Sequence, residues 1–205
     1  PIFEKPKSSV SLNVKKSKVD HNLVAPILEE PPLKRKLDEI ETSTVWVLPE
    51  EDFEKHLNKN VIDRYSNEKG YSTVAFVSHS KDDMNFTERK EQKENGLLFI
   101  KSPFLSNNPS YSSIEYYLNE IEKIVKQDLP NTSKDGFLVI QTQDVRIDGY
   151  IEPLAKKVID MLTLDNLWLK EIVVVTKEQA NLNTQSPRDY LKIAHQYLLI
   201  YEVKK

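Results

Sequence analysis

The sequence predicts an α/β domain over roughly residues 44–205, behind a polar N-terminal tail. Short apolar, strand-like segments alternate with helices that have one apolar side. That alternation is typical of a mostly parallel sheet with helices on both faces. In residues 1–43, by contrast, lysine, proline, serine and acidic residues outnumber apolar ones. Such a segment buries too little apolar surface to offset its ordering entropy, so we interpret it as a flexible tail.

The predicted elements follow in chain order. Strands are expected at residues 44–48, 73–77, 97–100, 137–140, 171–176 and 197–203. Segments 97–100 and 137–140 are continuously apolar, which is typical of strands buried on both faces. The last two strands are joined by a segment without helical periodicity, so we expect an antiparallel hairpin at the edge of the sheet.

Three helices are expected between these strands. Pro49 and the acidic residues after it open the first, at about residues 50–64, with an apolar stripe of Phe53, Leu57 and Val61. Ser112 or Ser113 caps the second. After a turn at Asp135-Gly136 and the strand that follows it, the third helix has its apolar side at Ile151, Leu154, Ala155, Val158, Ile159 and Leu162.

Composition excludes several classes of function. The chain has no cysteine, and therefore no disulfide, thiolate metal ligand or cysteine nucleophile. A formal net charge of −3 gives the whole chain little electrostatic attraction to nucleic acid. The four glycines (Gly70, Gly96, Gly136 and Gly149) lie too far apart for a glycine-rich phosphate loop. No segment reaches the ~18 apolar residues of a membrane helix, so we expect a soluble, intracellular protein.

Three segments, in this order, carry a family resemblance. Residues 97–104 read Leu-Leu-Phe-Ile-Lys-Ser-Pro-Phe, residues 134–140 read Lys-Asp-Gly-Phe-Leu-Val-Ile, and residues 195–201 read His-Gln-Tyr-Leu-Leu-Ile-Tyr. Together they resemble the second half of class I S-adenosylmethionine-dependent methyltransferases. More narrowly, they are similar to the group that methylates amino nitrogens of adenine or cytosine. The resemblance covers about residues 73–205 and implies a Rossmann-like, methyltransferase-type sheet with a C-terminal β-hairpin.

The resemblance places a degenerate catalytic motif at Lys101, Ser102, Pro103 and Phe104. In the family, the first motif residue accepts a hydrogen bond from the target amino group. Here that residue is Lys101, whose ammonium group has three donors and no acceptor. It would oppose the positive charge that develops on the attacking nitrogen. We interpret Phe104 as a core residue, with stacking on a flipped base as the alternative.

The family's cofactor site has no counterpart in the sequence. The family binds S-adenosylmethionine on a glycine-rich turn after its first strand, and residues 1–205 contain no such turn. An acidic residue for the ribose cannot be assigned either. We therefore expect no cofactor; S-adenosylmethionine would be bound only if the site were completed outside this chain.

Other polar residues form candidate sites. Gln141, Gln143, Asp144 and Arg146 follow a central strand at its carboxyl end, where α/β proteins bind ligands. They could contact a ligand or a partner, or they could simply hold the loop. Asp82 with Asp83, and Asp144 with Asp148, could act as paired carboxylates, although loop aspartates usually form turns. The four histidines, His21, His56, His79 and His195, lack metal-ligand spacing, and we interpret His195 as a residue at the end of a strand.

Basic residues are dense only in the tail. Lys34, Arg35 and Lys36 follow two prolines and resemble a short nuclear-import signal, which favours the nucleus over the cytoplasm; a solvated charge cluster is the alternative. Lys15, Lys16 and Lys18 form another cluster, and Lys156 with Lys157 a smaller one. Contacts of the tail with nucleic acid would be non-specific and salt-sensitive.

These features predict a non-catalytic, methyltransferase-like subunit that binds an active partner in a nucleic-acid methyltransferase complex. One alternative is an active methyltransferase whose cofactor site is completed elsewhere, and another is an unrelated α/β protein-interaction module. We expect a protein partner because half of a family fold would leave one face of the sheet short of cover, with residues 45–48 and 50–64 supplying part of it. The apolar segment 24–28 and the surface near Phe104 are the candidate contacts.

Overall fold

The computed structural model of the protein describes residues 43–75, 95–104, 109–178 and 192–204. Within these ranges the strands are β1 (Val45–Leu48), β2 (Tyr71–Ala75), β3 (Asn95–Lys101), β4 (Thr132–Thr142), β5 (Val145–Ile147), β6 (Tyr150–Glu152), β7 (Leu167–Lys177) and β8 (His195–Val203). The helices are α1 (Phe53–Tyr65), α2 (Tyr111–Asp128) and α3 (Leu154–Met161). The predicted α/β class is confirmed. All of the predicted tail except Ser43 lies outside the described residues.

Six of these strands form one mixed sheet, in the order β1-β7-β8-β4-β3-β2. The pairs β1–β7, β2–β3 and β3–β4 are parallel, whereas β8 is antiparallel to both of its neighbours, β7 and β4. The prediction of a mostly parallel sheet is therefore wrong. The antiparallel pair of β7 and β8 is confirmed, but its predicted place at the sheet edge is wrong. Residues 198–201 of β8 are buried on both faces, and such a strand needs an interior position.

Each face of the sheet has its own apolar core. Phe53, Leu57 and Val61 of α1 cover one face together with Trp46 of β1. Helices α2 and α3 cover the other face, where Tyr117 is completely buried. Residues 97–100 are buried on both faces, as predicted. The prediction that residues 45–48 and 50–64 supply cover for the sheet is confirmed, because Trp46 and the apolar side of α1 pack in one core with Leu97 and Phe99 of β3.

The starts of the first two helices differ from the prediction. Helix α1 begins at Phe53, after Asp52 in the left-handed region at φ 58°, so Pro49 lies outside the helix. Helix α2 begins with a capping box rather than a single cap. The Ser110 hydroxyl accepts the Ser113 N–H at 3.2 Å, and the Ser113 hydroxyl accepts the Ser110 N–H at 2.9 Å. The predicted cap at Ser112 or Ser113 is therefore wrong by two or three positions.

The predicted third helix is confirmed from Leu154 onward, but its first apolar residue, Ile151, belongs to a β-hairpin that the sequence analysis did not predict. Strands β5 and β6 pair antiparallel across Asp148 and Gly149, whose φ values are 50° and 85°. Two successive positive φ values are typical of the tight hairpin turn that an Asp-Gly pair favours. Ile151 therefore lies on β6, and α3 starts only after Pro153. None of the helices in the described ranges is long and apolar enough to cross a membrane.

Gly136 lies inside β4 instead of in a turn before it. The register of β3 against β4 shifts between Asn95 and Leu97, and Asp135 has a φ of 58°. A Cβ on Gly136 would lie 2.7 Å from the carbonyl oxygen of Gly96 and 2.9 Å from that of Ser133. The predicted turn at Asp135-Gly136 is therefore an irregularity within a strand, where the backbone leaves no room for a Cβ on Gly136.

Candidate functional site

The candidate site lies where β3 and β4 end. These parallel neighbours are in register at Lys101 and Gln141. The degenerate motif at residues 101–104 and the polar stretch at residues 141–146 therefore leave the sheet side by side. This carboxyl edge is the end of a parallel sheet at which α/β proteins bind ligands. The structure thus brings together two of the sequence-predicted groups.

Lys101 is held against α1 by an ion pair. Its Nζ lies 3.1 Å from Oε2 of Glu54, and its side chain is mostly buried. Glu54 is half-exposed, so the pair contributes only modestly to stability. Its main effect is positional, because it fixes the ammonium group on the α1 side of the sheet. The group that stands at the first motif position is therefore a cation already engaged by a carboxylate.

Ser102 belongs to a buried hydrogen-bond network on the other face. Its hydroxyl donates to the carbonyl oxygen of Gln141 at 2.6 Å, and its own carbonyl oxygen accepts from the Tyr117 hydroxyl at 2.8 Å. The Tyr117 oxygen also lies 2.7 Å from the Thr142 hydroxyl oxygen. Because the tyrosine proton is used on Ser102, Thr142 is the donor of that second bond. Burial raises the pKa of Tyr117 to about 12, so this hydroxyl is neutral near pH 7.

Phe104 is a core residue. Its ring is buried and meets the Tyr117 ring edge-on, with the centroids 5.3 Å apart and an angle of 81° between the planes. Its carbonyl oxygen accepts a hydrogen bond from Nε2 of Gln143 at 2.6 Å. The aromatic ring is therefore in the interior, and the side chain of Gln143 ties the motif to the end of β4.

Gln141 carries an unpaired polar atom in the interior. Its Nε2 donates to Oε1 of Gln196 at 2.7 Å. Its own Oε1 is buried and finds no hydrogen-bond partner among the described residues. An unpaired buried acceptor costs about 1–3 kcal/mol. Gln141 lies beside Lys101 in the sheet, so this atom is on the part of the edge where the motif ends.

Asp144, Tyr197 and His195 form a connected chain at the start of α3. One carboxylate oxygen of Asp144 accepts the Ala155 N–H at 3.3 Å, and the other accepts from the Tyr197 hydroxyl at 3.4 Å. Nε2 of His195 lies 2.8 Å from the Tyr197 oxygen. Burial, together with the Asp144 carboxylate, raises the pKa of Tyr197. Asp144 thus supports the first turn of α3 from the preceding loop.

Arg146 and Asp148 serve the β5–β6 hairpin. The Arg146 guanidinium donates to the carbonyl oxygen of Gly149 at 2.9 Å, and Asp148 occupies the turn itself. All four residues of the predicted ligand stretch therefore have contacts within the chain. These contacts do not test the prediction that the same stretch contacts a ligand or a partner.

Only some of the predicted basic and metal-binding residues lie in the part of the chain that the structure describes. Lys156 pairs with Asp160, and Nζ of Lys157 lies 2.9 Å from Oε2 of Glu152, so acidic neighbours offset both charges. In the part of the chain that the structure describes, no group of three His, Asp or Glu side chains could hold a metal. Several candidates lie outside the described residues: His21, His79, Asp82, Asp83, Lys15, Lys16, Lys18, Lys34, Arg35, Lys36 and residues 24–28.

The sequence-predicted site lacks several residues that make contacts at this edge: Glu54, Tyr117, Thr142, Gln196 and Tyr197. Glu54 and Tyr117 reach the edge only through tertiary packing, which their local sequence does not reveal. Tyr197 carried a usable signal, because residues two apart on a strand share a face and His195 precedes it by two.

Comparison with family models and with curated proteins found no relative of this chain. No protein-family model matches the chain, and no curated protein matches it significantly. The resemblance to methyltransferases therefore depends on the three sequence segments alone.

Proposed function

We propose that the chain is a non-catalytic, methyltransferase-like subunit that serves as scaffold or partner in a nucleic-acid methyltransferase complex. The observation that carries the proposal is the chemistry at the end of β3. The family resemblance implies a hydrogen-bond acceptor there for the target amino group. Lys101 supplies donors only, and its ammonium group is paired with Glu54.

The neighbouring polar atoms support the same proposal. The Ser102 hydroxyl and carbonyl are both bonded within the chain, to Gln141 and Tyr117. Phe104 is buried against Tyr117, where it packs the core instead of facing a base. In this proposal the motif has become a connection between the sheet, α1 and α2. The pseudoenzyme therefore keeps the fold and the motif's position, and the catalytic acceptor is replaced.

The order of elements is a second support. A strand ending in a Pro-aromatic pair, a helix, a strand with a constrained glycine, the β5–β6 hairpin, a helix and an antiparallel pair follow one another. Apart from the β5–β6 hairpin, this is the order that the resemblance implies. We assign β2, β3 and β4, with their parallel pairing, to a Rossmann-like methyltransferase-type sheet, into which β8 is inserted antiparallel.

Binding of S-adenosylmethionine tests the absence of activity. We expect isothermal titration of the purified protein to give no heat of binding, because the sequence has no glycine-rich cofactor turn. Binding in the micromolar range would overturn the pseudoenzyme and favour an active methyltransferase. Binding that appears only when the partner is present would favour a cofactor site completed by that partner.

Identification of the partner tests the scaffold. We expect affinity purification from the native source, with quantitative mass spectrometry, to recover an amino-methylating methyltransferase subunit in stoichiometric amount. Recovery of a stable complex without a methyltransferase would favour an unrelated α/β interaction module.

The complex should also be nuclear, because Lys34, Arg35 and Lys36 form the predicted import signal. Replacing all three by alanine in a fluorescent fusion should move the protein to the cytoplasm.

A further inference from the structure

Among the residues that the structure describes, strand β7 is paired along only part of its outer edge. β1 pairs with Val174 and the three residues after it. No strand of the described ranges lies beside residues 167–173 on that side. The chain before β1 bends at this point: the Ser43 hydroxyl donates to the Val45 carbonyl oxygen at 2.7 Å, and the Trp46 indole N–H donates to the Ser43 carbonyl oxygen at 2.8 Å. We call residues 167–173 the β7 edge.

The β7 edge presents backbone groups for pairing. Val174 donates its N–H to the carbonyl oxygen of Thr44 at 2.8 Å, so its backbone groups point away from β8. The backbone N–H and C=O groups of successive residues point to opposite sides of a strand. Those of Ile172, two residues before Val174, therefore also point away from β8. A bulge in the β7–β8 register follows Leu169 and adds one residue. The next residue that points outward is therefore Leu169 instead of Lys170.

The side chains of the β7 edge are unusually apolar for an open edge. Trp168 is 63% exposed, Ile172 42% and Leu169 40%. Natural edge strands are usually short, bulged away or guarded by charges, because an open edge is a template for another strand. Here Lys170 and Glu171 stand in the middle of the apolar residues. One positive and one negative charge at adjacent positions can complement themselves across a two-fold axis.

We propose that the β7 edge pairs antiparallel with the β7 edge of a second copy of this chain. The two-fold axis passes between Lys170 and Glu171. Each Lys170 then faces Glu171 of the second copy, each Leu169 faces Ile172, and each Trp168 faces Val173. Because Leu169 and Ile172 both direct their backbone groups outward, they form a hydrogen-bonded pair in this register. This inference does not depend on the proposed function.

The faces of the sheet agree with this register. Leu169 and Ile172 lie opposite Tyr201 and Leu199 of β8, which belong to the core beneath α2 and α3. Lys170 and Glu171 both lie on the α1 side: Nζ of Lys170 is 5.0 Å from the centre of the Phe137 ring, and Glu171 accepts from the Tyr65 hydroxyl at 2.9 Å. Side chains that would meet therefore start on the same face, as strand pairing requires.

Neighbouring registers are excluded by charge. A shift of one residue in one direction would place Lys170 opposite Lys170 of the second copy. A shift in the other direction would place Glu171 opposite Glu171. Like charges directly opposite each other destabilise a strand pair, whereas opposite charges contribute about 0.2–1 kcal/mol. The charges of the β7 edge thus disfavour both neighbouring registers.

Sedimentation and light scattering of the full chain test this pairing. We expect a dimer at about 100 μM, a concentration at which an interface of micromolar Kd is mostly associated. Lys170→Glu should weaken the dimer at least tenfold, because it places two acids opposite each other at both positions. The substitution also removes the ion pair of Lys170 with Glu202 of the same chain, so circular dichroism has to show that the variant is folded. Lys123→Glu, which reverses an exposed lysine on α2, is the matched control and should leave the dimer intact.

Mixing two variants separates pairing from folding. Lys170→Glu and Glu171→Lys should each be monomeric, and an equal mixture should form a heterodimer with both ion pairs restored. Glu171→Lys also removes the hydrogen bond from Tyr65. If it fails to fold by circular dichroism, Ile172→Glu replaces it, and that variant should be monomeric alone and in the mixture. A wild-type monomer at this concentration, a dimer unaffected by Lys170→Glu, or a mixture of folded charge variants that stays monomeric would overturn the proposal.

Discussion

The hydroxyl group of Tyr117 joins three elements at the carboxyl edge of the sheet. It donates to the Ser102 carbonyl oxygen after β3 and accepts from Thr142 at the end of β4, while its ring packs against Phe104. Tyr117 lies on helix α2, so the strand sequences alone do not predict that it belongs to this edge. Its hydroxyl group is buried, and buried polar groups need hydrogen-bond partners, which Ser102 and Thr142 provide.

Replacing Tyr117 by phenylalanine should destabilise the protein. The ring packing stays, but the Ser102 carbonyl and the Thr142 hydroxyl lose a buried partner, which costs about 1–3 kcal/mol of the free energy of unfolding. Urea denaturation measures this change. Tyr111→Phe is the control on the same helix; Tyr111 is 58% exposed, and its change should stay within about 0.5 kcal/mol. Equal effects of the two substitutions would contradict the assigned network.

The hydrogen-bonding capacity of Lys101 could be predicted from its residue type, whereas its ion pair with Glu54 could not. The side-chain type alone shows that position 101 offers hydrogen-bond donors and no acceptor. Its ion pair with Glu54 joins β3 to α1, which are separated by β2 and the segment after it. A contact of this kind is set by tertiary packing, and one sequence carries no local pattern for it.

At the scale of elements, periodicity was informative only where the element was long. The apolar stripe of Phe53, Leu57 and Val61 is buried as α1 requires. The three-residue strands β5 and β6 are too short for a two-residue period to be detected. The Asp148-Gly149 pair was the available signal for this hairpin. The hairpin was not predicted because Ile151 also fits the helical spacing of the apolar residues that follow it.

The start of α2 gives an element-scale prediction. Ser110→Ala removes the side chain that accepts the Ser113 N–H, so the free energy of unfolding should fall by about 1 kcal/mol. Ser112→Ala leaves both backbone bonds of the capping box in place and should cost less. Chemical denaturation of the two variants compares them. A larger loss for Ser112→Ala would show that the helix starts nearer to the position predicted from the sequence.

The two glycines in the β3–β4 pair give a second element-scale prediction. In Gly136→Ala the new Cβ would meet two backbone oxygens, which move only with their strands, so we expect a loss of about 1–3 kcal/mol. In Gly96→Ala the three nearest atoms to the new Cβ all belong to the Asn67 side chain, which can rotate away. Thermal or urea unfolding should therefore rank Gly136→Ala as the more damaging change. The reverse order would mean that the strands yield more easily than the side chain.

At the scale of the whole molecule, the sheet order depends on contacts between distant parts of the chain. β1 pairs with the end of β7, and β8 inserts between β7 and β4. Strand composition predicts each segment, but a single sequence does not say which strands are neighbours. The apolar run in β8 was the one physical clue, since residues buried on both faces exclude an edge position. At the β7 edge the clue is the opposite one, because Trp168, Leu169 and Ile172 are exposed and no strand of the described ranges pairs with them on that side.

The pH dependence of stability is the whole-molecule consequence of three buried tyrosines. Burial raises the pKa of Tyr65, Tyr117 and Tyr201 to about 12, from an ordinary value of 10.0. For Tyr65, a hydrogen bond to Glu171 adds to the effect of burial. Between pH 10 and 12 the unfolded chain has released these protons and the folded chain still holds them. The free energy of unfolding should therefore be fully present below pH 10 and fall as the pH rises to 12.

Tyr201 distinguishes this linkage from a general effect of alkaline solution. Its hydroxyl is buried and has no hydrogen-bond partner among the described residues. Tyr201→Phe therefore removes a desolvated polar atom without breaking a bond, and stability at pH 8 should stay equal or rise. The fall between pH 10 and 12 should also become shallower, because one raised pKa is gone. Urea midpoints across this range, with tyrosinate absorbance of the folded protein, measure both effects. An unchanged slope in Tyr201→Phe, or ionisation of all tyrosines near pH 10 in the folded protein, would show that these side chains are not desolvated as the structure describes.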